Sequence, residues 1–144
     1  MKLILDNNEL TSCFFEETRL LGIMAPIKDY LFCWHVNQSL GIDLRLNNDI
    51  EIQLNKKGRN YFFAIYEYFQ PHTSLIHYLY NNECDGEYLL PEFRHLDFLW
   101  LLKGDVVREA DFQDLINSLK TINGVQLVVE LTNEKIKNKE HMVF

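Results

Sequence analysis

The sequence predicts an α+β fold, a mostly antiparallel sheet of about five to seven strands with two main helices packed on one face. Three observations predict it. Two segments, Pro26 to Leu40 and Arg108 to Ile122, carry the spacing and end signals of helices. Others alternate with a period of two, most clearly His95 to Lys103. The element order, a strand, a helix, several strands, a helix and a strand, closes with a strand-helix-strand piece that is ferredoxin-like in part. That analogy is one of architecture and carries no function.

Taken in order, residues 2 to 6 read as a first short strand, and Asp6 to Glu17, polar and acidic around Cys13-Phe14-Phe15, as irregular. Arg19 to Met24 is a short apolar strand. Pro26 suits the first turn of a helix because its missing N–H is no loss there, Asp29 favours the same end, and Gly41 fits the C′ position. On this helix Ile27, Tyr30, Leu31 and Trp34 share one face. Phe32, Cys33, Val36 and Leu40 place apolar groups on the other side, leaving only the narrow polar stripe Lys28, His35 and Ser39. Such a helix is expected to be covered twice, by the sheet and by a long loop or a second subunit.

Asp43 to Arg45 and Ile50 to Leu54 are weaker strands, with turns near Asn47-Asn48 and Asn55 to Gly58. Asn60 to Gln70 is apolar or aromatic on both faces and reads as one central strand, with Leu75 to Tyr80 as its hairpin partner. Asn81 to Glu87 reads as an acidic loop. In the following strand Leu96, Phe98, Trp100 and Leu102 form one wholly apolar face. The second helix is amphipathic, with Phe112, Leu115, Ile116 and Leu119 on its inner stripe. Val125 to Leu131 is the last strand, and the tail Asn133 to Phe144 is expected to dock as an edge.

The 144 residues suit a single domain over 1–144. Apolar residues make up 47% and there are only 6 Gly and 3 Pro, which excludes disordered and collagen-like chains. The formal charge is −7, so the chain as a whole is repelled by phosphate backbones and anionic lipid. The basic and aromatic cluster of Lys56, Lys57, Arg59, Tyr61 and Phe62 reads as a solvated hairpin turn rather than a nucleic-acid surface. Met1 to Asp6 lacks the apolar run of a signal peptide, and the longest uncharged apolar run, Tyr61 to Tyr66, falls far short of the roughly 18 residues that span a bilayer. Cys13, Cys33 and Cys84 are odd in number and widely spaced, which fits reduced thiols in a cytoplasm. The expected partners therefore include neither nucleic acid nor membrane.

No usual pattern of catalytic chemistry is present. His72 and His77 are spaced so that regular structure cannot bring both to one metal, and His35 has no ligand-type residue one helical turn away. Gly-x-Ser-x-Gly, G-x-G-x-x-G and the P-loop are absent, and Cys33 reads as a core thiol. No metal, cofactor or catalytic residue is expected. The remaining feature is Leu90-Pro-Glu-Phe-Arg-His-Leu-Asp-Phe98. In a regular strand Glu92 and Asp97 would face opposite ways about 17 Å apart, too far to act on one bond, while Pro91 would open the strand or lie on an edge. Glu92 is then expected to cap neighbouring backbone N–H groups or pair with a base such as Arg94, and Asp97 to be a half-buried, hydrogen-bonded carboxylate.

This segment resembles the signature of the IPExxVDY family, small uncharacterised bacterial proteins named for the motif. Pro91, Glu92 and Asp97 match it, and Leu90, Leu96 and Phe98 stand where it has Ile, Val and Tyr. The likeness extends to Leu21-Gly-Ile23, Lys28-Asp-Tyr30, Leu40-Gly-Ile-Asp43 and the terminal Phe144. The resemblance implies a cytoplasmic protein and no particular activity. Two functional expectations follow from the residues: a non-enzymatic interaction module acting as a homodimer through the first helix, or a small-ligand protein with a pocket of Tyr66, Tyr68, His77 and Tyr78 that uses Glu92 and Asp97 as polar anchors.

Overall fold

The computed structural model describes residues 7–144, and the strand expected over residues 2 to 6 lies outside them. Its elements are α1 Asn7–Phe14, β1 Arg19–Met24, α2 Asp29–Leu40, β2 Arg45–Leu46, β3 Ile52–Lys56, β4 Arg59–Phe63 and β5 Ile65–Phe69. After these come β6 Ile76–Asn81, β7 Glu83–Cys84, β8 Glu87–Tyr88, β9 Phe98–Lys103, α3 Glu109–Lys120 and β10 Leu127–Glu130. Six strands form one antiparallel sheet in the order β10-β1-β9-β6-β5-β2, while β3-β4 and β7-β8 are separate two-stranded ribbons. Because β1 lies between β9 and β10, the unit β9-α3-β10 is a split βαβ, the ferredoxin-like element that the sequence order suggested. The predicted fold class is the observed one.

The sheet buries both faces. On one, Phe32, Cys33 and Val36 of α2 and Phe112, Ile116 and Leu119 of α3 pack with Leu21, Ile23, Phe98 and Trp100. The Phe32 and Phe98 rings stack with centroids 4.4 Å apart. On the other face, Tyr80, Leu99 and Leu101 meet Phe14, Phe15, Phe63 and Met142, contributed by α1, β4 and the tail. Strands β9 and β6 are the middle pair of the six. Phe98 to Leu102 is buried at every position, as expected of a strand covered on both faces.

Several expectations change. The segment expected to be irregular contains α1, a helix too short to be stable by itself. It is held by tertiary contacts: Phe14 and Phe15 are buried, and the Lys103 ammonium donates to the Phe14 carbonyl at the helix's C-terminal end. The expected central strand Asn60 to Gln70 is two strands. The chain changes partner at Ala64, β4 pairing with β3 and β5 with β6 and β2, which leaves Phe62 and Phe69 exposed. Alternation continues through the break, so periodicity does not reveal the change of partner.

α2 begins at Asp29 rather than at Pro26, because the Ala25 N–H is taken by Asp97 and Ile27 N–H turns back to the Ala25 carbonyl. Its end is as expected: Gly41 adopts φ 66° and donates to the Asn37 carbonyl 3.0 Å away, a left-handed cap. The acidic loop contains the β7-β8 ribbon, and its Asp85 and Glu87 pair with Arg59 and Lys56 of β4 and β3. The tail forms two 3₁₀ turns, Asn133–Lys135 and Lys139–Met142, instead of an edge strand.

Candidate functional site

The motif segment does not form the start of a strand. Pro91–Phe93 is a 3₁₀ turn with Pro91 in its first turn, where a missing N–H costs nothing, and β9 starts only at Phe98. Leu90 and Leu96 are completely buried. Leu96 packs among the residues of the face opposite Phe98, not beside it, and a Cβ on Gly22 would collide with its Cδ1. A glycine in β1 is thus the space that receives a motif leucine.

Glu92 reaches the tail. Its Oε2 accepts from the backbone N–H groups of Lys137 and Asn138 at 2.6 and 2.8 Å, and its Oε1 from the Asn138 amide at 2.9 Å. Burial acts to raise its pKa, but the Asn138 side chain and the backbone donors outweigh this and hold it below the usual carboxylate value. Asp97 faces another part of the chain: its Oδ2 accepts from Ala25 N–H at 2.8 Å. Burial raises the Asp97 pKa, the Ala25 hydrogen bond opposes this and Glu83 adds to it. Asp97 lines an open cleft of about 730 Å3 at the start of α2, with Lys28, Asp29, Leu31, Glu83 and Tyr88 among its walls. The two acids of the motif therefore hold two distant segments, and neither shares a cavity with the aromatic cluster.

The residue that organises the motif is one that sequence reasoning missed. Asn82 is fully buried; its side-chain amide donates to the carbonyls of Phe93 and Leu96 at 3.0 and 2.8 Å and accepts from Leu90 N–H at 2.8 Å. Its backbone bonds to Leu89 and Asp97 complete the frame. In sequence Asn81-Asn82 looks like ordinary turn material, and only its buried position distinguishes it. His141 adds a tail contact, its Nδ1 donating to the Leu89 carbonyl at 2.7 Å.

The four residues expected to form one aromatic pocket are divided. Tyr78 faces the tail side, its ring 4.9 Å from that of Phe144. Tyr66 is on the helix side, donating its hydroxyl to Asp29 at 2.9 Å, and burial followed by this carboxylate raises its pKa. Tyr68 and His77 alone of the four line a cavity of about 660 Å3 between the chain after α2 and the start of α3. The alternation of a strand gives the reason: Glu67, not Tyr66 or Tyr68, pairs with Tyr78, so Tyr78 is turned to the opposite face.

His77 is buried and neutral. The Trp100 indole donates to its Nδ1 at 3.1 Å, and since indole N–H is only a donor, Nδ1 carries no proton. The proton is on Nε2, which donates to the Gln70 side-chain Oε1 at 3.0 Å. Burial pulls its pKa down to about 4. Cys33, deep under α2, is pushed up to about 12 by burial and then by Asp29, leaving a protonated thiol. Among the described residues no group of three or more His, Cys, Asp or Glu side chains could hold a metal ion. Nor is any described helix long and apolar enough to cross a membrane.

Of the large apolar side chains left exposed, three lie together on one helix. Tyr30, Leu31 and Trp34, on the outer face of α2, are 66%, 40% and 56% exposed. No known protein family and no curated protein matches this chain.

Proposed function

We propose that this protein is a non-enzymatic interaction module that pairs with a second copy of itself through the outer face of α2. The exposure of Tyr30, Leu31 and Trp34 on one helix face carries the reading. The inner side of α2 already faces the sheet, so the outer stripe is the second apolar side that the sequence left to be covered. Adjacent large apolar groups at helical spacing form a patch rather than scattered exposure, and a two-fold axis buries such a patch on both copies at once. The engagement of Glu92 and Asp97 with backbone N–H groups supports a structural task for the motif that resembles the IPExxVDY signature. In this reading the protein is a bacterial, cytoplasmic member of that family, without nucleic acid or membrane among its partners. The pairing of Arg59 and Lys56 with Asp85 and Glu87 supports the exclusion of nucleic acid, since it neutralises two of the three cations of the basic cluster.

Sedimentation velocity over micromolar concentrations tests the reading. The wild type sediments as an even-numbered oligomer, and Trp34→Glu, which places a charge in the proposed interface, sediments as a folded monomer with an unchanged far-ultraviolet spectrum. A wild-type protein that stays monomeric throughout that range overturns it.

A further inference from the structure

The cavity lined by Tyr68 and His77 is separate from the α2 face and has the construction of a small-molecule site. Its volume of about 660 Å3 is within the range of ligand pockets. Leu40, Ile42, Leu75, Leu102, Val107 and Leu115 supply mostly apolar walls from five different stretches of chain. Away from the charged rim the polar side chains are Tyr68, Gln70, Thr73 and His77, and the Thr73 hydroxyl is already engaged by the Gln70 backbone carbonyl and Leu75 N–H. The relay from Trp100 through His77 occupies the Gln70 side-chain Oε1, which fixes the orientation of that amide. Among the described residues its NH2 group has no partner, nor has the Tyr68 hydroxyl. At the rim, Arg108 is engaged by Asp111, and Asp105 accepts from Val106 N–H. The charges there sum to one excess negative, which disfavours an anion.

We propose that this cavity binds a neutral, largely apolar small molecule that presents a carbonyl-type acceptor to the Gln70 amide N–H and the Tyr68 hydroxyl. The selectivity follows from the relay. The Gln70 amide, oriented by His77, and the half-buried Tyr68 hydroxyl favour a molecule that carries an acceptor over one of similar shape that lacks it, because a ligand seated over these donors without an acceptor would take them from water and leave them unpaired. The site does not depend on self-association, since none of Tyr30, Leu31 and Trp34 lines it.

Nile red, a neutral apolar dye with a ring carbonyl, is the probe. Its fluorescence is expected to rise saturably on titration with wild-type protein. Leu115→Trp, which fills the cavity from α3, weakens binding by about tenfold or more, and Tyr68→Phe, which removes one donor, by about threefold to tenfold. Trp34→Ala leaves binding unchanged. In the wild type, without any substitution, the Trp100 indole N–H resonance shifts with the same midpoint, because its acceptor His77 forms part of the cavity wall. Absence of saturable binding, a Trp100 resonance that does not move, or loss of binding in Trp34→Ala instead of Leu115→Trp overturns the proposal.

Discussion

The two faces of the sheet are closed in different ways. On the helix side, α2 and α3 lay continuous apolar stripes across β1 and β9, and the joint is made largely of side-chain packing such as Phe32 on Phe98. On the other side the cover is assembled from short pieces: α1, the β3-β4 ribbon, the motif turn and the tail. Many of these are fastened by single side chains that hold backbone groups, Asn82 to the motif, Glu92 to Lys137 and Asn138, Tyr80 to the Met142 carbonyl and Lys103 to the Phe14 carbonyl. The contrast teaches that long elements can be held mainly by burial, with polar bonds such as Tyr66 to Asp29 and Arg19 to Glu109 as additions, whereas short ones, which cannot satisfy their own backbone, depend on polar fasteners from elsewhere in the chain.

Damage to the helix side should therefore be global. Phe112→Ala, which empties a fully buried position under α3, is expected to cost about 3 to 5 kcal/mol, measured by urea unfolding with the whole molecule lost in one transition. If only α3 frayed, the claim that this face is a single packed unit would fail. Asn82→Ala comes next, at about 3 kcal/mol, because it strands the Leu90 N–H and the Phe93 and Leu96 carbonyls. A near-neutral result would mean that the motif turn holds itself.

Glu92→Gln should act locally. The loss is about 1 to 2 kcal/mol, and the amides of Lys137 and Asn138 should exchange with deuterium faster while those of β9 keep their protection. The wild-type tail should show the same release in acid. The Glu92 pKa is lowered in the fold, so its contribution is complete above the ordinary value of 4.5 and disappears as the pH falls through the folded value. Asp97 has the opposite sign. Its folded pKa is raised above 3.8, so ionising it costs stability at neutral pH, and this cost is relieved as the pH falls through the folded value. Asp97→Asn keeps an acceptor for Ala25 N–H without the desolvated charge, and its melting temperature should stay near that of wild type, a change of under about 1 kcal/mol. A large loss would mean that the charge itself is needed at the head of α2.

Parts of this arrangement were legible in the sequence. The alternation of Phe98 to Lys103, the inner stripe of α3 and the glycine stop at Gly41 each depend on contacts or steric limits within a few residues. They appear in the structure nearly where the pattern puts them. The expected role of Asp97 as a half-buried acceptor also matches its observed bond, whereas Glu92 accepts from distant backbone N–H groups and not from the neighbouring ones or Arg94 that the sequence suggested. What each acid holds was not legible, since Lys137 lies 45 residues from Glu92 and Ala25 lies 72 from Asp97. The same applies to Asn82, whose composition and neighbours are those of a turn.

The sequence by itself determined the fold class, the two main helices, the central apolar strand and the acidic character of the chain, because hydrophobic period and charge are local properties. The tertiary structure alone decided where Asn60 to Gln70 divides between two sheets, that α1 is a helix, that Tyr78 turns away from Tyr68 and His77, and which segments the motif joins. Each of these depends on which distant backbone supplies a partner, and a period of two or of 3.6 residues does not contain that information.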